Sequence, residues 1–388
     1  MDSWGFGRQF YVMAKPVGAA CNMRCNYCYY LDKEAGGAGQ MSDEVLELFI
    51  RQYIETQTTP QVLFTWHGGE PMLRDLDFYR KVLRLQKQYA RGKTVDNVIQ
   101  TNGTFLTVEW ADFLHDNGFL VGISVDGPRE FHDEFRRAKN GDSSFSRVMA
   151  GIELLKEHDV MWNAMCVVNE KNIFHPKELY RFFKSIGARY IQFSPLFLPD
   201  NIEVREIIAN NWGNFLCGVF DEWVKEDVGE YFVGIFDATL SGWMDVEPGT
   251  CCFSPTCGRV AVLEYNGDLY SCDHFVDARH RLGNIREKTI LEMMMSREQQ
   301  RFGMSKFSAL PNECQVCKYL FLCNGECPKN RILDSENPRW NGRNYLCKGY
   351  RQYFEHTEEF FQSLANENYG KMKFRQLYSF FGSKLFLT

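Results

Sequence analysis

The first two-thirds of the chain alternates short apolar runs, rich in β-branched and aromatic residues, with longer amphipathic stretches. This alternation is typical of βα units around a parallel sheet. Strands are predicted at Tyr11–Lys15, Val62–Trp66, Asn97–Gln100, Leu120–Val125, Asn163–Val168 and Tyr190–Phe193. Helices are predicted to start after the N-cap Ser42 and to lie near 75–90, 107–117, 145–158, 175–186 and 211–225.

Six βα units in one run fit a partial (β/α)6, TIM-like barrel better than a doubly wound sheet. We therefore expect residues 1–230 to form an α/β domain with its chemistry at the carboxyl ends of the strands. Polar or glycine-rich segments follow nearly all the predicted strands. Residues Phe197–Asn210 are predicted to be the loop between the sixth strand and the next helix.

The alternation stops after about residue 230, and most of the remaining chain is rich in cysteine. Two β-rich runs, Val260–Tyr265 and Leu269–Cys272, flank Asn266-Gly267, which is a strong hairpin signal. Such a hairpin would bring Cys257 and Cys272 towards each other. We expect residues 231–388 to form a small cysteine-rich domain with a C-terminal helix.

Composition narrows the possible partners and the compartment. The 388 residues carry 44 Lys+Arg against 50 Asp+Glu, and this acidic balance disfavours nucleic acid as a partner. The first residues lack the features of a signal peptide, and no apolar run is long enough to span a bilayer, so we expect no membrane and a cytoplasmic location. In that compartment the 14 cysteines indicate metal ligands rather than disulfides.

Three of these cysteines, Cys21, Cys25 and Cys28, are spaced CxxxCxxC after the first predicted strand. A four-iron cluster with only three protein thiolates leaves one iron open to another molecule. The alternative is a zinc site, which normally needs four protein ligands. The next candidate ligand along the chain, His67, is far from the motif.

The CxxxCxxC segment, with an aromatic residue just before its third cysteine, resembles the radical S-adenosylmethionine enzymes. The resemblance implies a [4Fe-4S] cluster on Cys21, Cys25 and Cys28 whose open iron binds the methionine part of S-adenosylmethionine. Further matching segments are His67-Gly68-Gly69-Glu70-Pro71, Gln100–Gly103 and Ser124–Pro128. The residues that the resemblance assigns to the cofactor are Tyr27, Gly68, Gly69, Glu70, Asn102, Ser124, Arg136 and, for the adenine, Phe197.

Ordinary turn chemistry is the alternative explanation of Asn102-Gly103 and Asp126-Gly127. The isolated cysteines Cys166 and Cys217 lie in apolar patterns, where a lone thiol usually packs as a small hydrophobic group.

The cysteine-rich segment resembles the SPASM extension of this family, which carries two auxiliary [4Fe-4S] clusters, so the cofactors implied are three clusters and S-adenosylmethionine. Cys252 is an alternative ligand beside Cys251, and two zinc sites remain an alternative to the clusters. The first auxiliary set implied is Cys251, Cys257, Cys272 and Cys327, and the second is Cys314, Cys317, Cys323 and Cys347.

A narrower resemblance covers nearly the whole chain, in the segments Phe64–Pro71, Gln100–Thr104, Gly122–Pro128, Tyr270–Phe275, Leu282–Ile285 and Cys323–Lys329. These segments resemble the anaerobic sulfatase-maturating enzymes, which oxidise the active-site Cys or Ser of a sulfatase to Cα-formylglycine. This resemblance implies that Asp273, directly after Cys272, is the catalytic base; a carboxylate that caps backbone N–H groups is the alternative. The implied partners are a sulfatase polypeptide with a Cys/Ser-x-Pro/Ala-x-Arg motif and a low-potential electron donor such as ferredoxin or flavodoxin.

Two other functions remain open at this point. The first is another SPASM enzyme that crosslinks or epimerises peptides; such enzymes often carry an N-terminal peptide-recognition domain, for which there is little room before Cys21. The second is a non-catalytic redox iron–sulfur protein, which would need neither Gly68-Gly69-Glu70-Pro71 nor Ser124 with Arg136.

Overall fold

The computed structural model describes residues 9–30, 38–198, 201–331 and 342–366. None of the helices within these ranges is long and apolar enough to cross a membrane.

A single ten-stranded sheet runs through the described residues. Seven strands are parallel and lie in chain order, so each is joined to its neighbour by a crossover, as the sequence pattern predicts. These strands are β1 (Tyr11–Lys15), β2 (Gln61–Trp66), β3 (Thr94–Thr101), β4 (Leu120–Ser124), β5 (Trp162–Val168), β6 (Tyr190–Pro195) and β7 (Phe232–Val233). Because β7 lies at one edge of the sheet, the barrel is partial, as predicted, and does not close.

Helices cover the outer face of the parallel strands. Their N-termini follow the sequence closely; for example, Ser42 accepts a hydrogen bond from Val45 N at 3.2 Å and caps the first helix. The helices of this part are α1 (Asp43–Thr56), α2 (Leu76–Tyr89), α3 (Val108–Asp116), α4 (Arg129–Phe135), α5 (Phe145–Glu157), α6 (Pro176–Ser185), α7 (Ile202–Glu226) and α8 (Gly234–Trp243).

Three of these helices differ from the prediction, and one of them, α8, lies in a segment after residue 230 where no helix was predicted. Helix α7 begins at Ile202, so the prediction of a loop through Asn210 is wrong. Asn201 caps the helix by accepting from Val204 N at 3.1 Å, and Val204 and Ile208 are buried in the core. The short helix α4 lies in a segment after β4 where no helix was predicted.

The hairpin predicted around Asn266-Gly267 is present, and it extends the barrel sheet. Strand β8 (Val260–Glu264) pairs antiparallel with β9 (Asp268–Tyr270) and parallel with β1, with Glu264 opposite Lys15. Strand β10 (Arg281–Asn284) pairs with β9. The helices that follow are α9 (Ile290–Met294), α10 (Arg297–Ser308), α11 (Asn312–Gln315), α12 (Leu320–Cys323) and α13 (Cys347–Asn366).

The predicted C-terminal helix, as far as residue 366, packs against the outside of the barrel on α7. A Cβ at Gly349 in α13 would lie 2.7 Å from Gly213 N in α7, so the two backbones meet where neither residue has a side chain. Buried aromatic rings fill the rest of this contact; Phe220, for instance, lies 5.7 Å from the ring centroid of Phe361. The core is therefore continuous from the barrel to the C-terminal segment.

Candidate active site

The three motif cysteines lie in the loop that follows β1. This loop is held against the end of α4 by Arg24 N, which donates to Arg137 O at 2.9 Å, and by Asn26 N, which donates to Phe135 O at 3.1 Å. Burial raises the pKa of the Cys21 thiol to about 11 and that of Cys25 to about 12. The charges of neighbouring motif thiols add to these two rises, so the three sulfurs are close together and need a cation to become thiolates.

Asn102 lies directly beside this loop. Its Nδ2 donates to Asn22 Oδ1 at 2.8 Å and approaches Cys21 Sγ at 3.9 Å. Met23 N donates to the same sulfur at 3.3 Å. N–H groups directed at sulfur stabilise a thiolate and influence a cluster bound to it.

The glycine segment after β2 packs edge to edge with the residues that precede Cys21. Gly69 N donates to Gly18 O and Glu70 N donates to Ala20 O, both at 2.8 Å. A Cβ on Gly69 would lie 2.0 Å from Ala20 O, so only glycine fits at this position. The two segments thus form one cradle beside the motif cysteines.

Glu70 fastens that cradle to β3. Its fully buried carboxyl accepts hydrogen bonds from Thr101 Oγ1 at 2.7 Å, from Asn102 N at 2.8 Å and from Met72 N at 3.0 Å. Burial raises the pKa of this carboxyl to about 7, although the hydrogen bonds oppose that rise. Glu70 therefore positions Asn102 and the glycine segment relative to each other.

Arg136 and Tyr27 both donate hydrogen bonds to the carboxylate of Asp126. Arg136 Nε donates to Asp126 Oδ2 at 3.0 Å, and the Tyr27 hydroxyl donates to the same oxygen. The guanidinium carbon lies 5.5 Å from the centroid of the Tyr27 ring. Asp126 Oδ1 accepts from Val167 N at 3.0 Å, so this carboxylate orients two predicted cofactor residues from a fixed point on β5.

The two remaining predicted cofactor residues lie at strand ends. Ser124 Oγ, at the end of β4, accepts from Gln100 Nε2 at 3.0 Å. Phe197, beyond β6, is half-buried and packs against Tyr345, with ring centroids 5.5 Å apart. Phe197 therefore lies where the barrel meets the segment before α13.

Asp273 has partners on both oxygens. Fully buried Lys15, the last residue of β1, forms an ion pair with Oδ1, and the half-exposed Tyr29 hydroxyl donates to Oδ2. Burial would raise the pKa of Asp273, but the positive charge and hydrogen bond of Lys15, with a further contribution from His274, together outweigh burial and hold the pKa well below its ordinary value. The structure thus places an ionised Asp273 beside the loop that carries Cys21, Cys25 and Cys28, here called the cluster loop.

Lys15 is itself held by an aromatic ring and a second carboxylate. Its Nζ lies 3.3 Å from the centroid of the Tyr30 ring, and the Tyr30 hydroxyl donates to Glu264 Oε1. Glu264 lies opposite Lys15 in the β1–β8 pair. The buried positive charge is therefore surrounded by carboxylates and aromatic faces.

His67 lies close to Asp273 and Lys15. Its Nδ1 accepts from Gly68 N at 2.6 Å, and burial lowers the pKa of the imidazole to about 4. It is therefore a neutral group at neutral pH.

The four thiols of the first predicted auxiliary set converge between the β8–β9 hairpin and Cys327. The pKa of Cys272 is raised by burial and by the charges of its three predicted partners. Cys252 has other neighbours: its Sγ lies 3.3 Å from Thr250 Oγ1, and it lies close enough to Tyr350 to raise that residue's pKa.

The second predicted set surrounds a separate small cavity next to α13. Burial and the other thiols of the set raise the pKa of Cys314 and that of Cys347, and two arginines, Arg343 and Arg351, also line the cavity. Within the part of the chain that the structure describes, no three His, Cys, Asp or Glu side chains are arranged to hold a single metal ion. Donor sets made of thiols alone fit iron–sulfur clusters. The lining cysteines are Cys314, Cys317, Cys323 and Cys347.

Comparison with known proteins identifies the family. Residues 16–183 match the model of the radical SAM superfamily, and residues 251–318 match an iron–sulfur cluster-binding domain. A serine-type anaerobic sulfatase-maturating enzyme of Bacteroides thetaiotaomicron is 52% identical, over 93% of this chain and 92% of that protein. The chain belongs to the anaerobic sulfatase-maturating enzymes.

Other members of the anaerobic sulfatase-maturating enzymes are more distant. A serine-type enzyme of Klebsiella aerogenes is 38% identical, over 89% of this chain and 84% of that protein. A cysteine-type enzyme of Clostridium perfringens is 32% identical, over 92% and 98%. The predicted activity, a radical S-adenosylmethionine oxidoreductase that matures sulfatases, is confirmed at the level of the family.

A solved structure agrees with this assignment. Native anSMEcpe with bound AdoMet and Kp18Cys peptide superposes with a TM-score of 0.85 at 30% identity, over 92% of this chain and 99% of that chain. The predicted cofactor classes, [4Fe-4S] clusters and S-adenosylmethionine, are likewise those of the family. The roles of individual residues in this sulfatase-maturating chain remain predictions.

Sequence reasoning did not single out Lys15, Glu264 or Asp126 as parts of the site. Lys15 ends a strand that is otherwise apolar, and Glu264 ends another; a charged residue at the end of such a strand is the signal that could have identified them. Asp126 was considered only as part of a turn with Gly127, and its contacts to Tyr27 and Arg136 arise from the fold.

Proposed function

We propose that this enzyme converts the active-site serine or cysteine of a sulfatase, within a Cys/Ser-x-Pro/Ala-x-Arg motif, to Cα-formylglycine, with Asp273 as the base. The observation that carries the residue-level proposal is the position of Asp273, which joins the hairpin of the cysteine-rich segment to the cluster loop through Tyr29. When bound, the clusters and S-adenosylmethionine supply the radical that takes hydrogen from Cβ and the acceptor for the electron that then leaves.

The chain's own residues would bind and orient these groups. Cys21, Cys25 and Cys28 hold the first cluster beside the Gly68–Glu70 cradle. In that cradle the Gly69 and Glu70 N–H groups already donate to Gly18 and Ala20, so its backbone carbonyls are the groups suited to accept from the N–H of an amino group. Arg136, fixed by Asp126, matches a carboxylate, since its fork can donate to both oxygens.

The remaining cofactor contacts are proposed on position. Tyr27 packs beside Arg136 at the third cysteine, while Asn102 meets the cluster loop at Asn22. Ser124 lies at the end of β4, where a ribose hydroxyl could share its Oγ with Gln100. Phe197 is the proposed adenine neighbour.

Asp273 Oδ2 is the oxygen proposed to take the substrate proton. Oδ1 faces fully buried Lys15, whereas Oδ2 faces Tyr29, which is half-exposed. As a carboxylate held ionised by Lys15, Asp273 is a weak base, so proton removal must accompany oxidation of the substrate carbon. A base with a fixed charge and a fixed direction suits a step in which proton and electron leave together.

The auxiliary sets are proposed as two complete cages, each with four thiols. Cys251 rather than Cys252 is the proposed ligand, because Cys252 is directed at Thr250. Full cages leave no open iron, so they suit electron transfer rather than substrate binding. The proposed ligands are Cys251, Cys257, Cys272 and Cys327 in one cage, and Cys314, Cys317, Cys323 and Cys347 in the other.

We also propose serine as the preferred substrate residue, because the 52% and 38% identical relatives are named serine-type and the 32% identical relative cysteine-type. The electron donor is proposed to be a low-potential protein such as ferredoxin or flavodoxin, and the compartment the cytoplasm.

The test is mass spectrometry of two short peptides, one with Ser-x-Ala-x-Arg and one with Cys-x-Pro-x-Arg, incubated without oxygen with the reconstituted enzyme, S-adenosylmethionine and a strong reductant. Conversion lowers the mass by about 2 Da from serine and by about 18 Da from cysteine. We expect the serine peptide to react faster. Formation of 5′-deoxyadenosine with both peptides unchanged would refute the proposed substrate while leaving the radical chemistry intact.

A further inference from the structure

Arg331 is a buried arginine whose guanidinium has almost no hydrogen-bond partners. It follows the turn Pro328–Asn330 and is 4% exposed. Its Nε donates to Gly325 O at 3.4 Å, but among the described residues neither Nη1 nor Nη2 has a partner. A buried cation in this condition is destabilising unless anions surround it.

The guanidinium lies between the two predicted auxiliary cages. Burial lowers the pKa of Arg331, while the charges of Cys257 and Cys327 from one cage and Cys314 from the other raise it. A Cβ on Gly325, in the loop between Cys323 and Cys327, would lie 2.7 Å from Nη2. The space that the guanidinium fills therefore depends on a glycine between ligands of both cages.

The nearby carboxylate does not account for this charge. Glu326 is buried and accepts from Asn330 Nδ2 at 2.8 Å and from Asn344 Nδ2. It affects the pKa of Arg331 through space but accepts no hydrogen bond from Nη1 or Nη2. Among the described residues, the anionic groups left to face Nη1 and Nη2 are the sulfurs of the two cages.

Lys306, the other buried cation beside these thiols, shows the contrast. Its Nζ donates to the backbone oxygens of Cys251 at 3.0 Å, of Cys252 at 2.6 Å and of Ser254. Lys306 thus has a structural role in shaping the turn that carries Cys251. Arg331 has no comparable set of oxygens, and its two terminal nitrogens remain for sulfur.

We propose that Arg331 is a positioning residue shared by both auxiliary clusters, which donates its terminal N–H groups to their sulfur atoms and raises both reduction potentials. A four-iron cluster on four thiolates carries net negative charge, and N–H groups near its sulfurs stabilise the reduced form. The inference rests on the proposed cluster ligands. It would favour transfer of one electron from the substrate carbon to the clusters, while the proton goes to Asp273.

The experiment is a redox titration of the full-length reconstituted chain, followed by electron paramagnetic resonance without substrate. In Arg331→Gln both auxiliary potentials should shift to more negative values, while that of the cluster on Cys21, Cys25 and Cys28 stays unchanged. Arg343→Gln is the matched control: this arginine lies near Cys347, but its side chain is 58% exposed and pairs with Glu313. Solvent screens such a charge, so its loss should shift the potentials much less.

Arg331→Lys separates charge from shape. Lysine keeps the positive charge, so the auxiliary potentials should stay near those of the original enzyme, and iron should be retained even if Arg331→Gln loses it. Unchanged auxiliary potentials in Arg331→Gln at full iron content would overturn this inference but not the cluster assignment. Loss of auxiliary iron from both Arg331→Gln and Arg331→Lys would do the same. An unsubstituted enzyme without auxiliary iron would overturn the cluster assignment as well.

Discussion

Asp273 illustrates how a single side chain acquires a role from residues far along the sequence. Lys15 lies at the end of β1 and Tyr29 in the cluster loop, yet both contact the carboxylate that follows Cys272. The local sequence around Asp273 contains neither partner. Its charge state is therefore set by the tertiary structure.

Replacing Asp273 with Asn should uncouple the two halves of the reaction. The variant should still cleave S-adenosylmethionine, because the cluster loop and glycine cradle are unchanged, but should form much less formylglycine since the base is absent. The measurement is the ratio of formylglycine to 5′-deoxyadenosine. Full product yield would remove Asp273 from the base role.

Replacing Tyr29 with Phe removes one hydrogen bond to Asp273 and leaves the ring in place. A hydrogen bond to a charged group contributes about 1.5–3 kcal/mol, so formylglycine per 5′-deoxyadenosine should fall by about tenfold. Thermal stability should change little, because Tyr29 is 45% exposed.

Tyr30→Phe is the matched control for that prediction. It leaves buried Glu264 Oε1 without its tyrosine donor, so it should lower the unfolding free energy by about 1–3 kcal/mol. Equal losses of stability in the two variants would contradict the distinct roles given to these neighbouring tyrosines.

The sequence identified candidate residues that lie within short motifs but not the carboxylates that orient them. Glycines and cysteines at fixed spacing are visible along the chain, so Gly68, Gly69 and the cysteine ligands were predicted. The contacts of Asp126 with Tyr27 and Arg136 join a strand end, a loop and a short helix. No local pattern in the sequence indicates that these three side chains contact one another.

At the scale of elements, the glycine segment after β2 and the loop after β1 depend on each other's backbone. Gly69→Ala would place a Cβ 2.0 Å from Ala20 O and push the two segments apart. We expect binding of S-adenosylmethionine to weaken by at least about tenfold while the chain still folds. Equilibrium binding measurements on the reconstituted enzyme check this.

Gly92→Ala serves as the control for the loss of a glycine as such. Gly92 has a φ of +85°, which favours glycine, but a Cβ there meets no atom within 4 Å. Its replacement should cost about 1 kcal/mol of stability and leave cofactor binding unchanged. Equal effects of the two substitutions on binding would show that the clash with Ala20 is not responsible.

The strands were predictable because their apolar runs are short and separated by clear turns. Helix α7 was predicted too short because its first turns carry charged residues such as Glu203 and Arg205, which mask the buried side chains Val204 and Ile208. The joining of β8 to β1 was not predicted, since a parallel contact between the two ends of a chain leaves no local signal.

At the scale of the whole molecule, the three predicted clusters occupy separate places. Replacing Cys21, Cys25 and Cys28 by Ala should abolish cleavage of S-adenosylmethionine while iron remains in the auxiliary sites. Iron analysis together with the assay for 5′-deoxyadenosine checks both parts. An iron content near zero in this variant would contradict the assignment of three independent clusters.

The pairing of β8 with β1 has a consequence for how the protein is made. The barrel strands leave the ribosome first, and β1 keeps an open edge until Val260–Glu264 has been synthesised. Lys15 meanwhile lacks the carboxylate that neutralises it. An unfinished chain can thus assemble the cofactor cradle without Asp273, the proposed base, and we expect full activity only after β8 has paired with β1.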